Sequence, residues 1–248
     1  MHDASPPVAS HDLSVTLAPL VGDASGDSIK SALDRIAAIR LRHVQIASTM
    51  PGLRPRELDR AARRDLAASL RRRELALSGI DAWIPPEHFV DPSQADRAVT
   101  AVRQAIVLAA DLGRVPVSLI LHGAGDVAAA IVAEAQRHGV EIADHSLPLS
   151  TLAGTGIGID PVICFSHAHD PAKVVHEAAD RLVCARLVDL RSGMRGPVGS
   201  AHDGRLDVAQ YKVALSVNGF RRPVVIDARQ WAEPWRGIQQ SIEAWSPV

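Results

Sequence analysis

Cysteine is nearly missing from this 248-residue chain, and with it the chemistry that cysteine clusters carry. The two present, Cys164 and Cys184, lie in separate apolar runs without C-x-x-C spacing, which argues against a disulfide scaffold or a zinc knuckle and for buried free thiols. Lysine is as scarce: Lys30, Lys173 and Lys212 stand among 27 basic residues, and this use of Arg, with the surplus of Ala and Val, reads as a GC-rich bacterial genome. Neither sign of charge dominates, since the formal net charge is -1, so nothing points to a nucleic-acid or other polyanionic partner. No run reaches the roughly 18 apolar residues of a membrane span. The opening "MHDASPPVASHD" has no basic or apolar leader region, so a cytoplasmic protein without membrane insertion is expected, with a flexible tail over 1–12 and one domain over 13–248.

What the chain does have is alternation. Apolar, β-branched runs of strand length occur at 13–21, 43–48, 75–84, 117–122, 140–144, 156–162, 182–190 and 223–229. Segments with apolar residues at i, i+3 and i+4 lie between them at 27–40, 56–73, 92–112, 124–138, 171–180, 208–218 and 233–244. "DPSQ" and "DPAK" place Asp at an N-cap with Pro at the first helical position, and Gly113, Gly139 and Gly219 stand just past helix ends. Eight strand–helix repeats in this length predict an α/β fold, a closed (β/α)8 TIM barrel, with a short or irregular fifth helix because "SLPLSTLAGT" has room for barely two turns. An open doubly wound sheet is the alternative, but no G-x-G-x-x-G leaves a strand; "GTGIG" at 154–158 enters one.

In such a barrel, function sits where the strands stop. The polar residues there are Gln45, Asp81 with Trp83, His122, Asp144 with His145, Asp160, Arg186 with Asp189, and Asp227 with Arg229. A carboxylate within "PVVIDAR" or "GIGIDPV" would cost several kcal/mol if buried alone. Each therefore needs a partner: an ion-pair network, such as Asp227 with Arg186 or Arg229, or a metal or substrate site. "GIDPVICFSHAHDP" concentrates the question, with Asp160 at a strand end, His167 and His169 in a loop, and Asp170 and Pro171 starting a helix.

That segment resembles the "D-x-G-H … G-x-D-P" stretch of the xylose isomerase-like sugar isomerase/epimerase superfamily, barrels that also include endonuclease IV-type AP endonucleases. "RLVCARLVDL" resembles the family's "I-x-H-x-H-L-K-D" strand, "LRHVQIAS" its second strand, and "GRLDVAQYKVALSVNGFRRPVVIDAR" its closing segment. The resemblance implies one divalent cation, Mn, Mg, Co or Zn, held by Glu, Asp, His and Glu from successive strands; it implies no nucleotide cofactor. Those positions fall on Asp144, Asp160, Arg186 and Asp227: one is kept, two are shortened, and the imidazole has become a guanidinium. Arg cannot ligate a cation, so the family's standard site is not expected, and Arg186 can supply the positive charge instead. A displaced metal site using His122, His145, Asp144 and Asp160 stays open.

Two functions follow from the resemblance. In the first, a sugar or sugar phosphate isomerase or epimerase, Asp144 and Asp227 transfer a proton on opposite faces of a small polyhydroxylated carbonyl compound while Arg186 or a metal stabilises the enediolate. In the second, a catalytically silent barrel binds a sugar-like or acidic metabolite through Arg186, Arg229 and the acidic strand ends. Gln45, Trp83, His122, His145, Arg229 and, from the Pro-rich loop with Glu87, His88 are the expected substrate contacts. A DNA-repair endonuclease would need more His and acidic ligands than the strand ends supply. Dimers are common in the family, so a homodimer is the oligomer the resemblance suggests.

Overall fold

The computed structural model describes residues 12–22, 27–199 and 203–246; most of the expected N-terminal tail, His2 and His11 included, lies outside them. Eight parallel strands close into a barrel: β1 (Leu13–Thr16), β2 (His43–Ala47), β3 (Ala76–Asp81), β4 (Val117–Leu119), β5 (Ile142–Asp144), β6 (Gly156–Ile159), β7 (Leu182–Leu187) and β10 (Val224–Ile226). A hairpin of β8 (Asp189–Arg191) and β9 (Met194–Gly196) is inserted after β7. Closure is made by β1, whose Val15 pairs with Val44 of β2 on one side and Ile226 of β10 on the other. This is the predicted (β/α)8 barrel.

Period-2 alternation sorts each strand into two faces. Val15, Val44, Ile46, Ile80, Ile142, Ile157, Val224 and Ile226 are fully buried in the core shared with the helices. The other face is small and polar: Ser14 of β1 meets Ser78 of β3 at 2.6 Å, the contact between alternate strands that occurs in the layers of a barrel interior. A separate small cluster of Ala143, Val183, Cys184 and Val225 fills another part of the barrel; its Cys184 thiol, like that of Cys164 in the main core, is buried and free.

Helices α1 (Ile29–Ala38), α2 (Arg60–Arg72), α3 (Ala95–Asp111), α4 (Gly125–Arg137), α5 (Pro161–Ser166), α6 (Pro171–Ala178), α7 (Val208–Val217) and α8 (Pro234–Trp245) complete the fold. Their starts have local causes: Ser28, Asp59, Asp170 and Asp207 each accept a backbone N–H of the first turn. Three expectations change. The segment 145–155, where the spacing predicts a short helix, runs as turns and bends, and the extra helix instead follows β6 as α5, started by Asp160 and Pro161 with the same Asp-Pro signal that begins α6. "DPSQ" caps a turn ahead of α3, Asp91 accepting from Ser93, and the helix proper starts at Ala95. The run 182–190 is two strands, because Asp189 leaves the barrel to pair with Gly196. Among the described residues no helix is long and apolar enough to cross a membrane.

Candidate functional site

Three carboxylates and three guanidiniums meet at the C-terminal mouth of the barrel. Arg186 comes from β7, Asp81 ends β3 on the opposite wall, Asp160 and Asp227 follow β6 and β10, and Arg229 stands two residues beyond Asp227. The sixth member, Arg195, comes from β9 of the inserted hairpin. Its turn, Ser192 and Gly193 with φ of 47° and 81°, has the two positive φ values that a two-residue hairpin of the right twist requires.

The bonds are shared in a definite way. Arg186 Nη1 donates to Asp160 Oδ2 at 3.1 Å and Asp227 Oδ2 at 3.3 Å, while Nη2 reaches across the barrel to Asp81 Oδ2 at 3.4 Å. Arg195 Nη2 donates to the same two oxygens, at 2.9 Å to Asp160 and 2.6 Å to Asp227. Arg229 donates from Nε to Asp227 Oδ1 at 2.7 Å and from Nη2 to Asp227 Oδ2. Asp160 divides its oxygens: Oδ2 serves the arginines, and Oδ1 accepts Val162 N and Ile163 N to cap α5.

Burial makes this arrangement electrostatically consequential, since unpaired charges here would be very costly. Burial opposes ionisation of Asp160, but Arg195 and Arg186 outweigh it and bring the carboxyl down to about 2. For Asp227 burial prevails and pushes the carboxyl up to about 6, with Asp160 and Asp81 adding to the rise. Asp81 is likewise raised by burial. Arg186 is held more firmly protonated than usual, because Asp81, Asp227 and Asp160 together overcome the cost of burying it.

The remaining residues singled out in the sequence divide into those at the mouth and those away from it. His145 is buried beside the network, its ring packed so closely on Gly158 that a Cβ there would lie 2.4 Å from Cε1 and Nε2. Burial, then Arg186, lowers its pKa well below 6.5, so the ring is neutral. Trp83 is 47% exposed at the rim, and the Arg229 guanidinium lies 3.7 Å from its ring centroid. Gln45 is buried, with no partner for its Oε1. Asp144 has another environment: its Oδ1 accepts Leu121 N, Ser146 N and Ser146 Oγ, tying β5 to the end of β4, and burial raises its pKa. Strand alternation explains this, for Ala143 and His145 share one face and Asp144 the other. His122 is exposed on the loop after β4, as are His167 and His169 after α5. His88 lies in the 3-10 turn Pro86–Phe89 with Asp91 as its charged neighbour. Asp189 anchors a loop, accepting Leu190 N, Arg205 N and Leu206 N.

Arg195 is the member that reasoning from the sequence missed. Its signal was present in "RSGMRG", a Ser-Gly turn between short arms, but the run from 182 reads as one strand and hides the hairpin.

The residues present do not fit the family's cation. Asp160 Oδ2 and Asp227 Oδ2 each already accept both Arg186 and Arg195, so a metal ion about 2.0–2.6 Å from those oxygens would be wedged against two positive guanidiniums. Asp144, the position matching the first ligand, is bound elsewhere, its Oδ1 taken by Leu121 N, Ser146 N and Ser146 Oγ. Among the described residues no group of three or more His, Cys, Asp and Glu is arranged to hold an ion.

Beside the network is a cavity of about 250 Å³ lined by the ends of β3 and β4 and the loops after them, including Asp81, Trp83, Ile84, Pro85, Glu87 and Leu119, with His145, Arg186 and Arg229 also lining it. Its place at the carboxyl ends of the strands is where barrels of this type carry their sites.

No family model and no curated protein matches the sequence. Solved structures do match in shape. A xylose isomerase domain protein from Planctomyces limnophilus superposes with a TM-score of 0.73 at 14% identity, covering 95% of this chain and 96% of its own. An L-ribulose 3-epimerase gives 0.69 at 16%, covering 96% and 88%, and a D-psicose 3-epimerase from Clostridium cellulolyticum H10 gives 0.70 at 12%, covering 93% and 95%. At these identities the likeness speaks for architecture, and the chain has the barrel fold shared by xylose isomerase-like domain proteins and sugar 3-epimerases.

Proposed function

We propose that the barrel mouth binds a small carbonyl compound of the sugar type without a metal ion, with the arginines supplying the positive charge that a cation supplies in the resembled family. The observation that carries this reading is the double bridge of Arg186 and Arg195 between Asp160 and Asp227. A guanidinium orients an oxygen-rich ligand by its fixed N–H directions and needs no cofactor. On this reading the ligand lies in the cavity with its oxygens toward Arg186 and Arg229 and its body beside Trp83, whose exposed ring suits a sugar face.

A second reading, isomerase or epimerase chemistry, is supported by Asp227. A carboxyl whose pKa is about 6 exchanges protons near neutral pH, as a group that removes and returns a proton from a carbon beside a carbonyl must. Arg186 would then stabilise the enediolate oxygen. Asp227 acts so only if the arginines on its two oxygens release one of them toward the cavity, and Asp144 only if its bonds to Leu121 and Ser146 are broken.

One experiment separates the readings. The purified protein is incubated in D2O with a panel of ketoses and oxo acids, binding is followed by thermal shift, and deuterium wash-in at the carbon beside the carbonyl by NMR. Stabilisation without wash-in supports a binding protein; wash-in supports the enzyme, with Asp227→Asn expected to abolish it. If no compound on the panel stabilises the protein or gains deuterium, both readings are lost.

A further inference from the structure

The geometry points to a specific ligand class for the mouth cavity: a short 2-oxo or 2-hydroxy carboxylate with an apolar tail, rather than a fully hydroxylated neutral sugar. This rests on the reading of the mouth as a site for small carbonyl compounds, and narrows it.

The first observation is the donor surplus. Each guanidinium has five N–H groups, and Arg186 Nε is buried without an acceptor. Arg229 Nη1 is buried too, and although it lies 3.2 Å from Asp81 Oδ2 it makes no hydrogen bond there. Arg186 is 3% exposed, and both arginines line the cavity. Buried donors left unpaired are costly, so the group that fits is rich in acceptors and has no N–H of its own. A carboxylate is such a group, and its paired oxygens match the guanidinium fork.

The second observation is His145. Both its ring nitrogens are buried without partners, and a neutral imidazole offers one donor and one acceptor. That pair suits an oxygen on the carbon next to the carboxylate: a carbonyl takes the donor, and a hydroxyl can use either.

The third is the rest of the wall. It includes the carboxylates of Asp81, paired with Arg186, and of Glu87; Ile84, Pro85, Pro86, Leu119 and Ile120 carry no side-chain donor or acceptor, so hydroxyl groups placed against them would lose their water without replacement. A methyl-branched tail loses nothing there and gains by leaving water.

The probes are 4-methyl-2-oxopentanoate, its uncharged analogue 5-methylhexane-2,3-dione, in which a methyl ketone replaces the carboxylate, and D-fructose, each titrated by calorimetry at pH 7.5. The acid is expected to bind at least tenfold more tightly than the dione, and the Trp83→Ala variant, altered at an exposed ring, to weaken it while keeping the wild-type melting temperature. Equal affinity for acid and dione, or binding undiminished in Trp83→Ala, would overturn the inference. Binding of fructose in preference to the acid would overturn it too while leaving the proposed function standing. If none of the three binds at 10 mM, both fall together.

Discussion

At the scale of single residues, the mouth is governed by which groups can afford charge. His145 is the clearest case: it is buried beside Arg186 and has no counter-ion in hydrogen-bond contact, so its protonated form is disfavoured in the fold and ordinary in the unfolded chain. The unfolded state therefore binds more protons below pH 6.5, and stability contributed by the neutral ring is present above that value and lost as the pH falls. Relative to a His145→Gln variant, the wild type should lose stability on acidification from pH 7.5 to 5, at up to about 1.4 kcal/mol per pH unit below 6.5. Urea midpoints at several pH values measure this, and parallel curves for the two proteins would sink the assignment of a neutral His145. The same scale shows why Asp144 and His145 exchanged importance: a pattern match aligned a carboxylate with a carboxylate, whereas the period of two turns the imidazole, its neighbour, to the inner face.

At the scale of elements, Asp160 joins two structures with one side chain. Oδ1 satisfies the first N–H groups of α5 while Oδ2 holds the arginines, so replacing it removes a helix cap and an ion-pair hub together. The two contributions can be separated. Asp160→Ser and Asp160→Ala both delete the charge, but a serine hydroxyl still caps, so the serine variant should be more stable by about 1 kcal/mol. Equal urea midpoints would show that Asp160 does not work as a cap. Element order and strand placement were legible in the sequence because hydrophobic period and Asp-Pro or Gly end signals act locally. The hairpin at Asp189–Gly196 was not, because "LVCARLVDL" reads as one mostly apolar strand-length run without a turn signal, and only the pairing of Asp189 with Gly196, a tertiary fact, divides it. With the hairpin went Arg195, and so half of the bridge between Asp160 and Asp227.

At the scale of the whole molecule, closing eight strands brings together residues far apart in sequence, Asp81 with Arg186 and Arg229 among them. The sequence reading named the acidic and basic strand ends and raised an ion-pair network as one outcome, but convergence is a property of the closed barrel and its register, which spacing does not encode. Closure also bears on the cation: it brings Asp81, Asp160 and Asp227 against Arg186, Arg195 and Arg229, so the carboxylate oxygens that a divalent ion would need already face guanidiniums. A ligand bound at a hundred times its Kd stabilises a protein by about 2.7 kcal/mol. In a chain of this size each kcal/mol moves Tm by about 2–4 °C, so a genuine metal site with a Kd of about 10 μM would raise Tm by about 5–10 °C in 1 mM Mn²⁺. With its carboxylate oxygens already held by guanidiniums, the mouth predicts a change of less than about 1 °C with 1 mM Mn²⁺, Mg²⁺, Co²⁺ or Zn²⁺, or with EDTA, in a differential scanning measurement. A rise of several degrees with any one of these ions, reversed by EDTA, would mean that a guanidinium gives way to the cation and that the arginines do not stand in its place.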